Sequence, residues 1–212
     1  MDIRRGGVQF GALKILARLP RLAAELGAFA VNRSVLRDVL VFALLVILGI
    51  AGRWAQPTWN FTPLAATAAC AGFYFRQWLP ALLVPVATLV VSDLCLRSHD
   101  SLAVLASVHV MMLLPLALGR LAQRTTGWRR AGCWVATGVV PATAFFLVTN
   151  FAVWAFQSHY PTTLAGLAEC YVAGIPFYRT MLAGDVVYVG AVVAALAAAR
   201  WIETPAPAGQ LA

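Results

Sequence analysis

The stretch NFTPLAATAACAGFYF (60–75) carries one thiol, Cys70, among alanines. A thiolate is a soft ligand that suits transition metals such as cobalt and zinc, and does not suit magnesium or calcium. A protein-built zinc site takes three or four ligands. No partner cysteine or histidine stands at ligand spacing from Cys70. Its metal chemistry is therefore confined to one axial ligand for a metal already held by a macrocycle. As a nucleophile Cys70 would need a base. Of His99, His109 and His159, only His109 falls deep within an apolar stretch. The plain alternative is close helix packing by small residues, with Cys70 as one more small hydrophobe. Both readings stand at this level.

Five further polar groups fall inside apolar stretches, where they are expensive: Asp93, His109, Thr149, Asn150 and Asp185. They either contact a ligand or bond neighbouring helices. CxxC, HExxH, GxSxG and Walker-type motifs are absent from the chain, so the common soluble chemistries lack their signatures.

The elements that must position these groups are membrane helices. The chain is 61% hydrophobic and 11% charged, far from a soluble domain and close to a polytopic membrane protein. Its net charge of +8 therefore reflects arginines kept on one side of a membrane, not a nucleic-acid partner. Six apolar stretches are expected to span, near 38–54, 62–78, 80–97, 101–122, 131–156 and 177–201, since a crossing takes about 20 helical residues. Pro63 fits the first turn of the second helix, with Thr62 or Asn60 as its cap, and Pro80 opens the third in the same way. With the N-terminus inside, 13 of the 16 basic residues lie inside and only Arg53, Arg97 and Arg179 lie outside. Both termini are expected to be cytoplasmic.

Residues 1–37 form a basic cytoplasmic segment. Within it, 8–30 pattern as an amphipathic helix on the inner surface, or as a loose extension. The membrane domain covers 38–202, and 203–212 read as a disordered tail. Between spans five and six, Leu164 to Ala173 form a short outer helix, a candidate lid. Cys95 and Cys170 both fall near the outer face, where they either form a disulfide or simply pack. Four of the five intramembrane polar groups lie in the outer half, which fits an outward-open polar cavity with an apolar floor. On the second helix, Ala66, Thr67 and Tyr74 share the face of Cys70, about 10 Å below the helix start.

The NFTP helix, VSDLCL (91–96) and the block 149–188 resemble a family of small six-helix bacterial membrane proteins. These are akin to the substrate-binding S-components of energy-coupling-factor (ECF) vitamin transporters. The cysteine inside the NFTP helix is similar to that of the BtuM-type solitary cobalamin transporters. The resemblance implies an all-α integral membrane fold, a six-helix S-component-like bundle in the bacterial inner membrane. It implies cobalamin (vitamin B12) as the ligand, bound from the outer face, with Cys70 ligating cobalt. Asn60, Phe61, Thr62, Ala66, Thr67, Tyr74, Asp93, Arg97, His159, Tyr160 and Arg179 are the substrate-binding residues it suggests. Arg97 or Arg179 best suits the nucleotide phosphate.

A thiolate on cobalt would compete with cyanide, so Cys70-dependent decyanation of cyanocobalamin is the one enzymatic expectation. The first span offers only Ala51 and Ala55 as small docking residues, at its outer end. An ECF energising module is therefore not an expected partner. The alternatives are a transporter for another vitamin or metal chelate, and an intramembrane thiol enzyme.

Overall fold

The computed structural model describes residues 33–96 and 101–203, with the side chains of 200–203 excepted. The expected amphipathic helix over 8–30, the tail beyond 203 and the candidate Arg97 lie outside the described residues. The chain divides into two units, 1–40 and 41–212. Of the first, the description covers 33–40, the opening turns of a helix, with Arg37 and Asp38 ion-paired at 3.4 Å on its surface.

The described residues form seven helices and no strand. These are α1 (Arg33–Trp54), α2 (Leu64–Tyr74), α3 (Trp78–Asp93), α4 (Leu102–Met111), α5 (Leu113–Arg124), α6 (Gly127–Phe156) and α7 (Leu164–Glu203). Four segments are long and apolar enough to cross a membrane: Arg33–Trp54, Leu102–Arg124, Gly127–Phe156 and Leu164–Ala199. The protein is thus a multi-pass, all-helical membrane protein by length and composition. Its surface agrees, since Ile47, Leu79, Val135 and Val172 are exposed apolar side chains, which suit lipid and not water.

Helix α2 is the buried centre of the second unit. Ala65, Ala66, Thr67, Ala68, Ala69, Ala71 and Gly72 are all buried. Its main neighbour is α5, and the two backbones approach closely. A Cβ on Gly72 would overlap the Leu116 carbonyl oxygen, and one on Gly119 would overlap the Ala69 carbonyl oxygen. Small residues at membrane helix interfaces permit this approach, which gains dispersion and Cα–H···O contacts. One face of α2 joins Leu45, Phe75, Ala81, Val84 and Leu116. Another joins Ala122, Cys133, Trp134 and Val189.

Several element boundaries differ from the sequence expectation, for identifiable reasons. The fourth span is two helices that meet at Met112, whose N–H bonds the His109 carbonyl at 3.2 Å in a tighter turn. Pro115 has no N–H to offer the Met111 carbonyl, so the regular ladder lapses there. The short outer helix and the sixth span are instead one helix of 40 residues, α7, which contains Pro176. It is about 60 Å long, twice the hydrocarbon thickness. Helix α2 has 11 residues and Pro63 at its cap position, with no capping side chain, so neither Thr62 nor Asn60 caps it. Asn60 instead adopts φ 65°, a left-handed conformation that asparagine tolerates.

Candidate functional site

Where α1 and α4 end and α2 begins, the helices leave a cavity of about 380 Å³. Arg53, Gln56, Asn60 and Asp185 supply its polar lining. Leu89, Val108, Met112 and Phe145 are among its apolar walls. A smaller hollow of about 170 Å³ shares Asn60, Phe145 and Met181 with it and extends toward Thr149 and Asn150. The left-handed Asn60 thus stands between the two, held by its N–H donating to Gln56 Oε1 at 2.9 Å.

Arg53, at the end of α1, reaches the end of α3. Its Nη1 lies 2.6 Å from Asp93 Oδ1 and also donates to Ser92 Oγ. Both charged side chains are only 15% exposed, so the pair is strongly felt. Ser92 Oγ in turn donates to the Thr88 carbonyl at 2.6 Å. Asp185, from the middle of α7, is 4% exposed. It lines the cavity with its carboxyl beside the Ala142 backbone, one residue beyond Pro141. A carboxyl buried at the wall of a mostly apolar cavity is costly to leave without a partner.

The sequence-predicted residues divide around this cavity. Asn60 and Thr62 line it, and Asp93 holds Arg53 in place at its edge. Phe61 packs against Tyr188, with ring centroids 5.5 Å apart. Thr67 Oγ1 donates to the Leu64 carbonyl at 3.1 Å. Ala66 is buried with Trp134, and Tyr74 lies edge-on to Phe75 in the opposite cluster. His159 and Tyr160 belong to the α6–α7 connection and Arg179 to an exposed position of α7, away from the cavity lining.

Cys70 is half-buried and packs against the cluster that holds Leu45, Ala71, Phe75 and Leu116. It is not a lining residue of the cavity. Ala65, which does line the cavity, is five residues earlier and so about 140° away around the helix. Thr149 and Asn150 bond carbonyls one turn back at 2.7 and 2.8 Å. His109 Nδ1 does likewise with the Leu105 carbonyl at 3.0 Å. No Cys70–His109 hydrogen bond occurs among the described residues, so the pair that a thiol enzyme needs is not assembled. Cys95 and Cys170 are both free thiols, and Cys170 Sγ instead donates to the Asn150 carbonyl at 3.3 Å.

A model of a family of unknown function, DUF6580, matches residues 33–207. The chain belongs to this family. No curated protein and no solved structure matches it. In this DUF6580 chain, no group of three or more His, Cys, Asp or Glu residues that could hold a metal ion occurs among the described residues. Arg53, Gln56 and Met181 are lining residues that sequence reasoning missed as a site. The available signal was an arginine ending one apolar span at the same depth as an aspartate ending another. Each of the two is costly alone, and together they are compensated.

Proposed function

We propose that this protein binds a small molecule from the outer face of the bacterial cytoplasmic membrane for uptake, in the cavity between Arg53, Asn60, Thr62 and Asp185. The carrying observation is that cavity, which sets one buried carboxyl, one arginine and two amide side chains among apolar walls. A few convergent polar groups in a mostly apolar concavity are the usual character of a small-molecule site. The proposed topology has six crossings with both termini cytoplasmic, in the manner of an S-component. It rests on the distribution of arginines, which assigns the Asp93 end of the bundle to the outside. In this topology α2 crosses only with its flanking non-helical residues, which other helices must shield from lipid.

The substrate class is a vitamin-sized solute with both cationic and hydrogen-bonding groups, to meet Asp185 and the Asn60–Gln56 edge. Cobalamin is the second reading, and the half-buried thiol in an otherwise alanine-lined helix favours it. It requires more of the protein. A corrinoid is larger than a cavity of about 380 Å³, and Cys70 is not among the residues that line it. Cobalt ligation by Cys70 therefore requires a rearrangement that brings the thiol to the cavity. No energising module is needed for binding itself.

The test is thermal unfolding of the detergent-purified protein against a panel of water-soluble vitamins, cyanocobalamin included. The wild type is run beside Asp185→Asn and Cys70→Ala, with ultraviolet–visible spectra for the corrinoid. A vitamin that raises the midpoint of the wild type and of Cys70→Ala, but not of Asp185→Asn, supports the cavity reading. A corrinoid spectrum that shifts only when Cys70 is present supports the cobalamin reading. No stabilising vitamin and no bound corrinoid would reject both.

A further inference from the structure

The opposite end of the bundle holds a second hollow, of about 430 Å³, lined by Arg76, Arg120, Gln123 and Arg124. Among the described residues no carboxylate is ion-paired with these arginines. The ion pairs among the described residues are Arg37–Asp38 and Arg53–Asp93. Arg124 is close enough for its charge to act on Arg120, so like charges meet here without a paired carboxylate among the described residues.

Arg120 is the unusual member. It is 4% exposed. Its Nη1 donates to the Phe75 and Arg76 carbonyls, at 3.0 and 2.6 Å, and so caps the end of α2. The guanidinium also lies 4.2 Å over the Trp78 ring. Its Nε and Nη2 remain buried without a partner. Capping explains one nitrogen of this group and leaves two donors unused. A buried charged donor left unsatisfied costs several times what an ordinary hydrogen bond contributes. A helix end needs no such excess, because Gln123 Nε2 already serves the Phe73 carbonyl at 2.7 Å.

We propose that this hollow binds a phosphate group, with Arg120 as its buried anchor and Arg76 and Arg124 as its exposed clamps. Tetrahedral oxyanions match several guanidinium forks converging from different directions, and each fork can deliver two parallel donors. The phosphate belongs either to an anionic phospholipid headgroup or to a free anion. Basic hollows between membrane helices on the cytoplasmic side suit the former. The site lies apart from the Asp185 cavity and stands whether or not that cavity takes a vitamin.

The test uses the full-length protein, delipidated in detergent, with Arg76→Gln, Arg124→Gln and, as a control at the same end, Arg129→Gln. Arg120 is kept, because its loss would uncap α2. Native mass spectrometry reads retention of phosphatidylglycerol against phosphatidylcholine. Thermal unfolding reads inorganic phosphate against chloride at matched ionic strength. Preferential retention of phosphatidylglycerol, weakened about fivefold by each cavity variant and unchanged in Arg129→Gln, is the expected result and identifies a lipid headgroup. Stabilisation by inorganic phosphate that the cavity variants lose, with no lipid preference, supports the site and identifies a free anion. No discrimination by either probe would overturn the proposal. So would equal weakening by Arg129→Gln, which would mean a diffuse basic surface.

Discussion

Arg53 and Asp93 meet at 2.6 Å across 40 residues of sequence, joining the end of α1 to the end of α3 at the rim of the cavity. Each side chain is 15% exposed, so removing one leaves the other charge largely desolvated. Asp93→Asn should lower the stability of the detergent-solubilised protein by about 2 kcal/mol. Arg53→Gln combined with Asp93→Asn should cost less than the two single changes summed, because they share one interaction. Thermal unfolding of the four proteins measures the coupling, and strict additivity would show that the pair does not hold the rim.

The helical glycines separate into tight positions on α2 and α5 and open positions on α6 and α7. Gly72 and Gly119 lie against the backbone of the facing helix, whereas a Cβ at Gly132 or Gly190 would meet nothing. Gly119→Ala should therefore cost about 3 kcal/mol or abolish purification of folded protein, through overpacking against a backbone that cannot yield. Gly132→Ala should be neutral or stabilise by up to about 1 kcal/mol, through helix propensity. Equal midpoints for the two variants would contradict the close α2–α5 approach.

This close packing also shows what the sequence could and could not reveal. The alanines and the glycine of 65–72 announced a helix with close neighbours, and that is how α2 is used. Which neighbour each face meets was not legible. A helix that is apolar all round has no polar stripe to orient it. The face shared by Ala66, Thr67, Cys70 and Tyr74 is therefore divided in the structure, with Ala66 in the cluster of Trp134, and Cys70 and Tyr74 against the separate cluster that includes Leu116. The Arg53–Asp93 pair was legible only as two costly charges at similar depth. The continuity of α7 was hidden by Gly174 and Pro176, which read as punctuation. Inside a bundle the helix passes through Pro176 because its flanking turns are held by neighbours. Asn60 and Thr62, named through the resemblance of the NFTP helix, line the cavity.

The four cysteines should behave as unequal free thiols. Cys95 is exposed, Cys70 half-buried, and Cys133 and Cys170 buried. A maleimide added to the folded protein in detergent should modify Cys95 first and leave Cys133 and Cys170 unmodified, while denaturant should release all four thiols. A recovery of only two thiols after denaturation without reductant would reveal a disulfide and contradict the separation of Cys95 from Cys170.

Cys70 itself separates the two substrate readings. If it only packs within the bundle, Cys70→Ser should cost about 1 kcal/mol of stability and leave vitamin binding intact. If it ligates cobalt, the same change should abolish the spectral shift of bound cyanocobalamin and any decyanation. Unchanged decyanation by Cys70→Ser would remove the metal-ligand role.

The most direct test of an outward-facing uptake cavity is thiol labelling in intact cells. Met181→Cys and Gln123→Cys are each made in a Cys95→Ser background, and a membrane-impermeant maleimide is applied before and after permeabilisation. Met181 lines the proposed substrate cavity, and Gln123 lines the arginine-rich hollow at the other end. The account predicts labelling of Met181→Cys in intact cells and of Gln123→Cys only after permeabilisation. The reverse pattern would place the cavity on the cytoplasmic side, and no labelling of Met181→Cys on either side would mean that no solvent-filled cavity exists for a substrate to enter.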